Sequence, residues 1–288
     1  MKIKNKTSLL YFIDKEIQEH GLNCSLNHLD VSEVKDMSEL FTNSCLQDFN
    51  GDISKWDTSS VEDMRLMFAF SQFNGDISSW NTSGVKDMSH MFRYSQFNRD
   101  ISLWNTSRVE LMNYMFYRSH FNADISKWDT SSVQNMEGMF HVSVFNQNIS
   151  GWNTSKVEKM SLMFYRSQFN GDISQWSVGQ VRNMSYMFSE SIFNQDISNW
   201  DVSNVVDMEL MFENTPFSVD LSNWDTSRVQ NLNNTFNNCP APIPYWSKYQ
   251  EVEDRRRAIE EYKLAVREKQ QLGQTLVAID KVVGIHKV

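Results

Sequence analysis

Hydrophobic and polar positions along this chain follow a pattern that returns every 24 residues. Aligned on tryptophan, each unit has the consensus F-N-x-D-I-S-x-W-[DN]-T-S-x-V-x-x-M-x-x-M-F-x-x-S-x. Eight copies run in phase from Phe49 to Pro240, and a degenerate copy with a loop three residues longer precedes them at Leu29 to Phe41. Self-similarity at one fixed period indicates a repeat architecture, in which each unit buries its apolar face only against its neighbours.

The apolar positions inside each unit predict a short strand followed by a short helix. Phe49 and Ile53 can point to one side of an alternating segment, as in a strand. Residues 61–68 place apolar side chains at i, i+3, i+6 and i+7, one face of a helix, and Ser59 with Glu62 has the spacing of a capping box. We therefore predict an α/β repeat solenoid with short parallel strands on one side and short helices on the other. The invariant tryptophan column is predicted to lie in its core.

The flanking segments complete the predicted organisation. Thr7 to His20 has apolar residues at helical spacing and predicts an N-terminal capping helix. Lys248 to Gln271 predicts a charged C-terminal helix. An apolar stretch follows it, Leu276 to Val283, that is larger than a cap over the last repeat requires. This favours self-association or partner docking through Lys248 to Val288 over simple capping. The predicted parts are the N-terminal cap with the degenerate repeat, the eight repeats, a proline-rich linker and a C-terminal helical segment, at residues 1–48, 49–240, 241–247 and 248–288.

Composition and charge narrow the classes of function. With 40% hydrophobic residues and only 10 glycines and 4 prolines in 288 positions, the chain should fold. No apolar run approaches the roughly 18 residues that cross a bilayer, and no signal-peptide pattern is visible, so the sequence as written favours a cytoplasmic protein. The net charge of −9 argues against nucleic-acid binding. The cysteines and histidines show no metal-ligand spacing and no phosphate-binding glycine loop occurs, so we predict no catalytic residue, metal or cofactor.

Two polar columns recur on the predicted strands. Asparagine follows the first phenylalanine of the first seven copies, from Asn50 to Asn194, and is expected to hydrogen-bond to neighbouring turns rather than form a binding row. Two residues after this position, seven of the eight copies carry an aspartate. Carboxylates at strand spacing repel each other unless they are compensated, so we expect these aspartates to accept hydrogen bonds from backbone N–H groups or serine hydroxyls. The alternatives for this strand-face column are a partner's basic surface, calcium or a glycan. Its members are Asp52, Asp76, Asp100, Asp124, Asp172, Asp196 and Asp220, with Asn148 in the fifth copy.

A stripe of aromatic and basic residues lies where the repeats vary, on the predicted helix side. Function in a repeat stack is expected at variable outward positions, and tyrosine and arginine are enriched at the energetic centres of protein interfaces. We predict a non-enzymatic protein that contacts another protein through this stripe. The alternatives are that the rings only cover their neighbours' edges, or that the stack is a passive spacer displaying the C-terminal helix. The candidate residues are Tyr94, Tyr114, Tyr117, Arg118, Tyr165 and Arg166, with His90 and Tyr186 beside them.

One string in the repeat resembles a known family. The pattern D-[TV]-S-x-V-x-x-M-x-x-M-F, at Asp57 to Phe68 and Asp201 to Phe212, together with the preceding D-I-S-x-W, is similar to the BspA-like leucine-rich-repeat surface proteins of bacteria. The resemblance covers about Leu26 to Pro240. It implies a leucine-rich-repeat-like solenoid used for binding, often adhesion, and a cell-surface or secreted location as the alternative to a cytoplasmic one.

Overall fold

Two helices lie at the ends of a long run of turns. The computed structural model describes the backbone of residues 2–284 and the side chains of residues 2–272. Helix α1 spans Lys6–His20, a short 3-10 turn spans Tyr245–Lys248, and helix α2 spans Val252–Gly284. Within this described part of the chain, neither helix combines the length and the apolar character that crossing a bilayer requires.

The repeats between α1 and the 3-10 turn contain no regular strand or helix in the described chain. The prediction of an α/β solenoid with short parallel strands and short helices is therefore wrong. The segment predicted as a helix is a run of tight turns, in which the Met67 N–H donates to the Met64 carbonyl three residues earlier. Leu66 and Phe70 have φ values of 59° and 61°, which are left-handed and interrupt a right-handed helix. Two such positions recur in every copy.

The predicted capping box does not form either. The Ser59 N–H bonds to the side chain of Asp57, two residues earlier, at 3.0 Å. Glu62 instead lies between two lysines of the neighbouring copies, with its oxygens 3.2 Å from Lys35 Nζ and 3.0 Å from Lys86 Nζ. A serine that closes a turn on the preceding aspartate takes the place of a helix start.

Backbone hydrogen bonds join each run of turns to the next copy. N–H groups of alternate residues donate to carbonyls 23 positions further along the chain. One isolated parallel bridge links each pair of neighbouring copies, from Asp36 with Asp63 to Asp207 with Asn231. In the first full copy these bonds are 2.7–3.0 Å long and run from Met64 to Asp87, Leu66 to Ser89, Phe68 to Met91 and Phe70 to Arg93.

Side chains link the copies along the segment predicted as a strand. The Asn50 side-chain oxygen accepts the N–H of Asn74 at 2.8 Å, and the same bond recurs along the column to Asn194. The Trp80 Nε1–H donates to the Ile53 carbonyl of the preceding copy at 3.1 Å. Because a side-chain oxygen takes the place of a backbone acceptor, these segments stack in register without pairing as strands.

The core is a set of parallel columns of identical side chains. The eight repeat tryptophans are only 2–4% exposed, so their predicted place in the core is confirmed. Four neighbouring pairs of this column stack with ring centroids 6.2–6.5 Å apart. The phenylalanine, isoleucine, valine and methionine columns are buried beside them. Burial of each such side chain contributes roughly 1.5–3 kcal/mol, which a unit gains only when both neighbours are in place.

The segment after the last repeat closes the open end of the stack. Trp246 is fully buried, and its Nε1–H donates to the Leu221 carbonyl at 3.0 Å, as the repeat tryptophans do to the copy before them. Arg255 of α2 is also buried and donates to the backbone carbonyls of Thr226 and Val229. The start of α2 is therefore part of the folded unit. The apolar stretch from Leu276 to Val283 lies outside the residues whose side chains are described.

Candidate functional site

All six residues of the predicted stripe meet in one continuous surface across six copies. We call this surface the aromatic band. Contacts between rings run unbroken from the first copy to the sixth. The variable positions are visible in the sequence, but the contacts between their side chains are not. Three members were not among the candidate residues: Phe70, Arg93 and His141. The members of the band are Phe70, His90, Arg93, Tyr94, Tyr114, Tyr117, Arg118, His141, Tyr165, Arg166 and Tyr186.

Two tyrosines and two arginines form the centre of the aromatic band. The rings of Tyr94 and Tyr117 meet edge to face with centroids 5.1 Å apart, and their hydroxyl oxygens are 3.3 Å apart. The guanidinium carbon of Arg93 lies 5.1 Å from the Tyr117 centroid and 5.6 Å from that of Tyr94. Arg118 lies 5.4 Å from the Tyr94 centroid. Cations at these distances are attracted to the ring faces, so the four side chains hold one another in place.

Tyr114 packs between residues of the copies before and after its own. Its ring stacks on His90 at 5.1 Å, and its hydroxyl donates to Glu137 at 3.0 Å. Burial and the negative charge of Glu137 raise the pKa of Tyr114. A Cβ atom at Gly138 would lie 2.3 Å from the Tyr114 ring, and Gly138 has a left-handed φ of 58°. Glycine at this position therefore serves both the backbone turn and the approach of the ring.

His141 lies between the tyrosines of two neighbouring copies. Its ring centroid is 4.4 Å from that of Tyr117 and 4.9 Å from that of Tyr165. Burial, and next the positive charges of Arg118 and Arg166, lower the pKa of His141 to about 4. The imidazole is therefore neutral at pH 7. Its Nδ1 is buried and has no hydrogen-bond partner among the described residues.

The C-terminal part of the aromatic band is neutralised by an internal ion pair. Arg166 donates to both carboxylate oxygens of Glu190, through Nε at 2.7 Å and through Nη2 at 2.9 Å. Tyr165 donates its hydroxyl to the same carboxylate at 2.9 Å. The two arginines at the centre of the band form no such ion pair with a described acid. The positive charge of the band is thus concentrated in its second and third copies.

Four of the six candidate residues stand at left-handed backbone positions. Their φ values are 51–55° for Tyr94, Tyr114, Arg118 and Arg166. Glycine, asparagine and aspartate adopt this conformation most readily, and bulky side chains adopt it at a cost. The last copy has Asn234 and Asn238 at the equivalent positions. Glycine and asparagine at these two columns were the sequence signal that turns, and not a helix, form this side of the repeat.

The aspartate column builds turns. Asp52 Oδ1 accepts the N–H of Ser54 at 3.0 Å and its hydroxyl at 2.7 Å, and these bonds lower the pKa of the carboxyl group. The same contact with the serine N–H recurs at each other aspartate in the column. Asn148 accepts the N–H of Ser150 at 3.0 Å in the same way, so the column needs an oxygen and not a charge. In the part of the chain that the structure describes, no three His, Cys, Asp or Glu residues are grouped as a metal site.

Comparison with known proteins identifies a family of repeats. The family model described as "Mycoplasma protein of unknown function, DUF285" matches residues 12–120, 93–192 and 141–249, which together span 12–249. No curated protein and no solved structure matches the chain. The match supports a repeat protein. The narrower resemblance to BspA-like leucine-rich-repeat proteins stays a prediction.

Proposed function

We propose, for a chain that belongs to the Mycoplasma protein family of unknown function DUF285, that the repeat stack is a non-enzymatic binding protein and that the aromatic band contacts a protein partner. The observation that carries this proposal is the choice of side chains at strained backbone positions. Core and turn residues explain the stability of every copy, and the band occupies positions at which neighbouring copies differ.

The left-handed positions show that the band residues are not chosen for the backbone. A bulky residue at a left-handed φ costs about 1 kcal/mol or more. Asn234 and Asn238 in the last copy, and Gly138 in the fourth, fit that conformation better. Tyr94, Tyr114, Arg118 and Arg166 keep large side chains there. Leu66, Leu162 and Leu210 share the conformation outside the band, so the four band residues are distinguished by their aromatic or cationic side chains. Ring contacts between copies offset part of the cost.

The aromatic band also has the physical properties of a binding surface. Tyrosine and arginine carry much of the binding energy in protein interfaces. Here the cation–π and ring contacts hold these side chains in place before a partner arrives, which reduces the entropy lost on binding. Phe70, Arg118 and Arg166 are exposed, and the tyrosines are half-buried. Six copies at roughly 4.8 Å per step give a surface about 24 Å long, which suits one protein partner.

A paired substitution tests the proposal. The double variant Tyr117→Ala with Arg118→Ala removes the centre of the band. The matched control is Tyr11→Ala with Lys15→Ala, which removes an exposed tyrosine and a neighbouring cation from α1. Partners are captured with the unaltered protein from separate cytosolic and surface fractions of the host, identified, and purified for affinity measurement.

The expected result is an affinity at least tenfold weaker for the Tyr117/Arg118 variant, with a melting temperature within a few degrees of the original. The α1 control should bind as the original protein does. Equal affinity of the Tyr117/Arg118 variant for every purified partner would overturn the proposal and move the binding surface to the aspartate column.

A further inference from the structure

The charge of the aromatic band is uneven along the stack. Arg93 and Arg118 contribute positive charge in the second and third copies, and both lie over tyrosine faces without an ion pair to a described acid. Arg166 in the fifth copy is already paired with Glu190. Beyond it, the sixth and seventh copies carry Glu190 and Glu213 at the same variable positions. The band therefore has a cationic part and a neutral to acidic part.

The two central arginines are unusual for their surroundings. The whole chain carries a net charge of −9, so a cationic centre is not a general property of the surface. Arg93 is half-buried and Arg118 is exposed, and neither guanidinium forms an ion pair with a described acid. A guanidinium over an aromatic face keeps N–H donors for a carboxylate, and a carboxylate accepts two of them at once. Both arginines thus retain unused capacity to donate hydrogen bonds.

Resting on the proposed function, we infer that Arg93 and Arg118 bind the carboxylates of an acidic segment of the partner protein, whose apolar side chains lie against Tyr94 and Tyr117. Charge complementarity selects this occupant. The acidic remainder of the chain repels polyanions that carry many phosphates, whereas a short segment with a few carboxylates can lie within the cationic part alone. The ring faces between the arginines supply apolar contact for leucine or phenylalanine neighbours.

A labelled peptide tests this inference on the full-length chain. The probe is a fluorescein-labelled peptide with four glutamates alternating with leucine and phenylalanine, and its control has glutamine at each glutamate. The variant Arg118→Gln removes a charge and keeps polar character. Arg99→Gln is the matched control, because Arg99 is an exposed arginine of the same copy as Arg118 and is not a member of the aromatic band. A phosphoserine version of the peptide is the third probe.

The glutamate peptide should bind at least tenfold more weakly to Arg118→Gln, about as tightly to Arg99→Gln as to the original protein, and more weakly as salt is raised. The glutamine peptide should bind at least tenfold more weakly than the glutamate peptide. No binding of the glutamate peptide at about 1 mM, or equal binding of both peptides, would overturn the inference. Tenfold tighter binding of the phosphoserine peptide would overturn the choice of carboxylates.

The purified partner separates this inference from the function on which it rests. If Tyr117→Ala abolishes partner binding and Arg118→Gln leaves it unchanged, the aromatic band is the binding surface and the inferred role of the arginines fails. If neither variant changes partner binding, the proposed binding surface and the inferred role of the arginines both fail. Loss with Arg118→Gln and recovery with Arg118→Lys supports a charge-dependent contact.

Discussion

Trp246 lies outside the repeats and yet takes the place of a repeat tryptophan, which makes a sharp test of how the stack ends. It is fully buried, packs against Phe236 with ring centroids 5.9 Å apart, and donates to the Leu221 carbonyl. We therefore expect Trp246→Ala to destabilise the C-terminal end of the stack. The effect should be largest in the eighth copy, because each copy is stabilised by its neighbours.

The expected size of this loss follows from two contributions. Truncation of a buried aromatic side chain to alanine costs about 3–5 kcal/mol. The Leu221 carbonyl also loses its donor, but water can reach a terminal site once the ring is gone, so this adds little. Trp246→Phe keeps an aromatic ring but removes the N–H and part of the buried indole, and should cost about 1–2 kcal/mol. The difference between the two variants then measures the packing that a phenyl ring retains at this site.

Urea unfolding and hydrogen exchange together measure the effect. The loss of stability should appear in the unfolding midpoint, and amide exchange should quicken in residues 217–240 more than in residues 49–72. Tyr249→Ala is the surface control, since Tyr249 is exposed three residues further on. A loss below about 1 kcal/mol for Trp246→Ala, or equal acceleration of exchange in both segments, would refute the argument that this segment closes the stack.

Two further predictions concern the turns and the band. Asp124→Asn should change the free energy of unfolding by less than about 0.5 kcal/mol, because Asn148 already forms the same turn. Asp124→Ala removes the acceptor oxygen and should cost about 1 kcal/mol. Equal melting temperatures for the two variants would contradict this expectation. His141 has a folded-state pKa of about 4, below its ordinary value of 6.5, so its contribution is fully present above pH 6.5 and is lost as the pH falls towards 4. Stability of His141→Gln should therefore change less over this interval than that of the original protein, and parallel curves would count against a buried neutral imidazole.

The repeat period and the core columns could be predicted from the sequence. A column that keeps one residue type in eight copies needs the same surroundings in every copy, and tryptophan at a constant 24-residue spacing satisfies this only if the copies stack in register. The variable positions after the Met-Phe pair were likewise visible as a stripe. Their physical basis is that a buried column tolerates little change, while outward positions are free to differ.

The conformation of each copy could not be predicted, because a run of tight turns and a short helix share nearly the same spacing of apolar residues. Both advance by about three residues between inward side chains, so residues 61–68 fit either one. The left-handed φ values of Leu66 and Phe70 distinguish the two, and glycine or asparagine at those columns occurs in too few copies to dominate the pattern. Each copy folds into turns because this conformation lets alternate N–H groups donate to carbonyls of the next copy.

The period, the in-register stacking and the identity of the buried columns follow from residue type and spacing. The contacts between side chains of different copies depend on how the copies are set against each other in three dimensions. Tyr94 meets Tyr117, and His141 meets Tyr165, because hydrogen bonds offset by 23 residues set one run of turns against the next. The tertiary structure also places Trp246, which follows Trp224 by 22 residues and breaks the period, in the last free position of the stack. The buried backbone carbonyl of Leu221 needs a hydrogen-bond donor, and a segment outside the repeats supplies it.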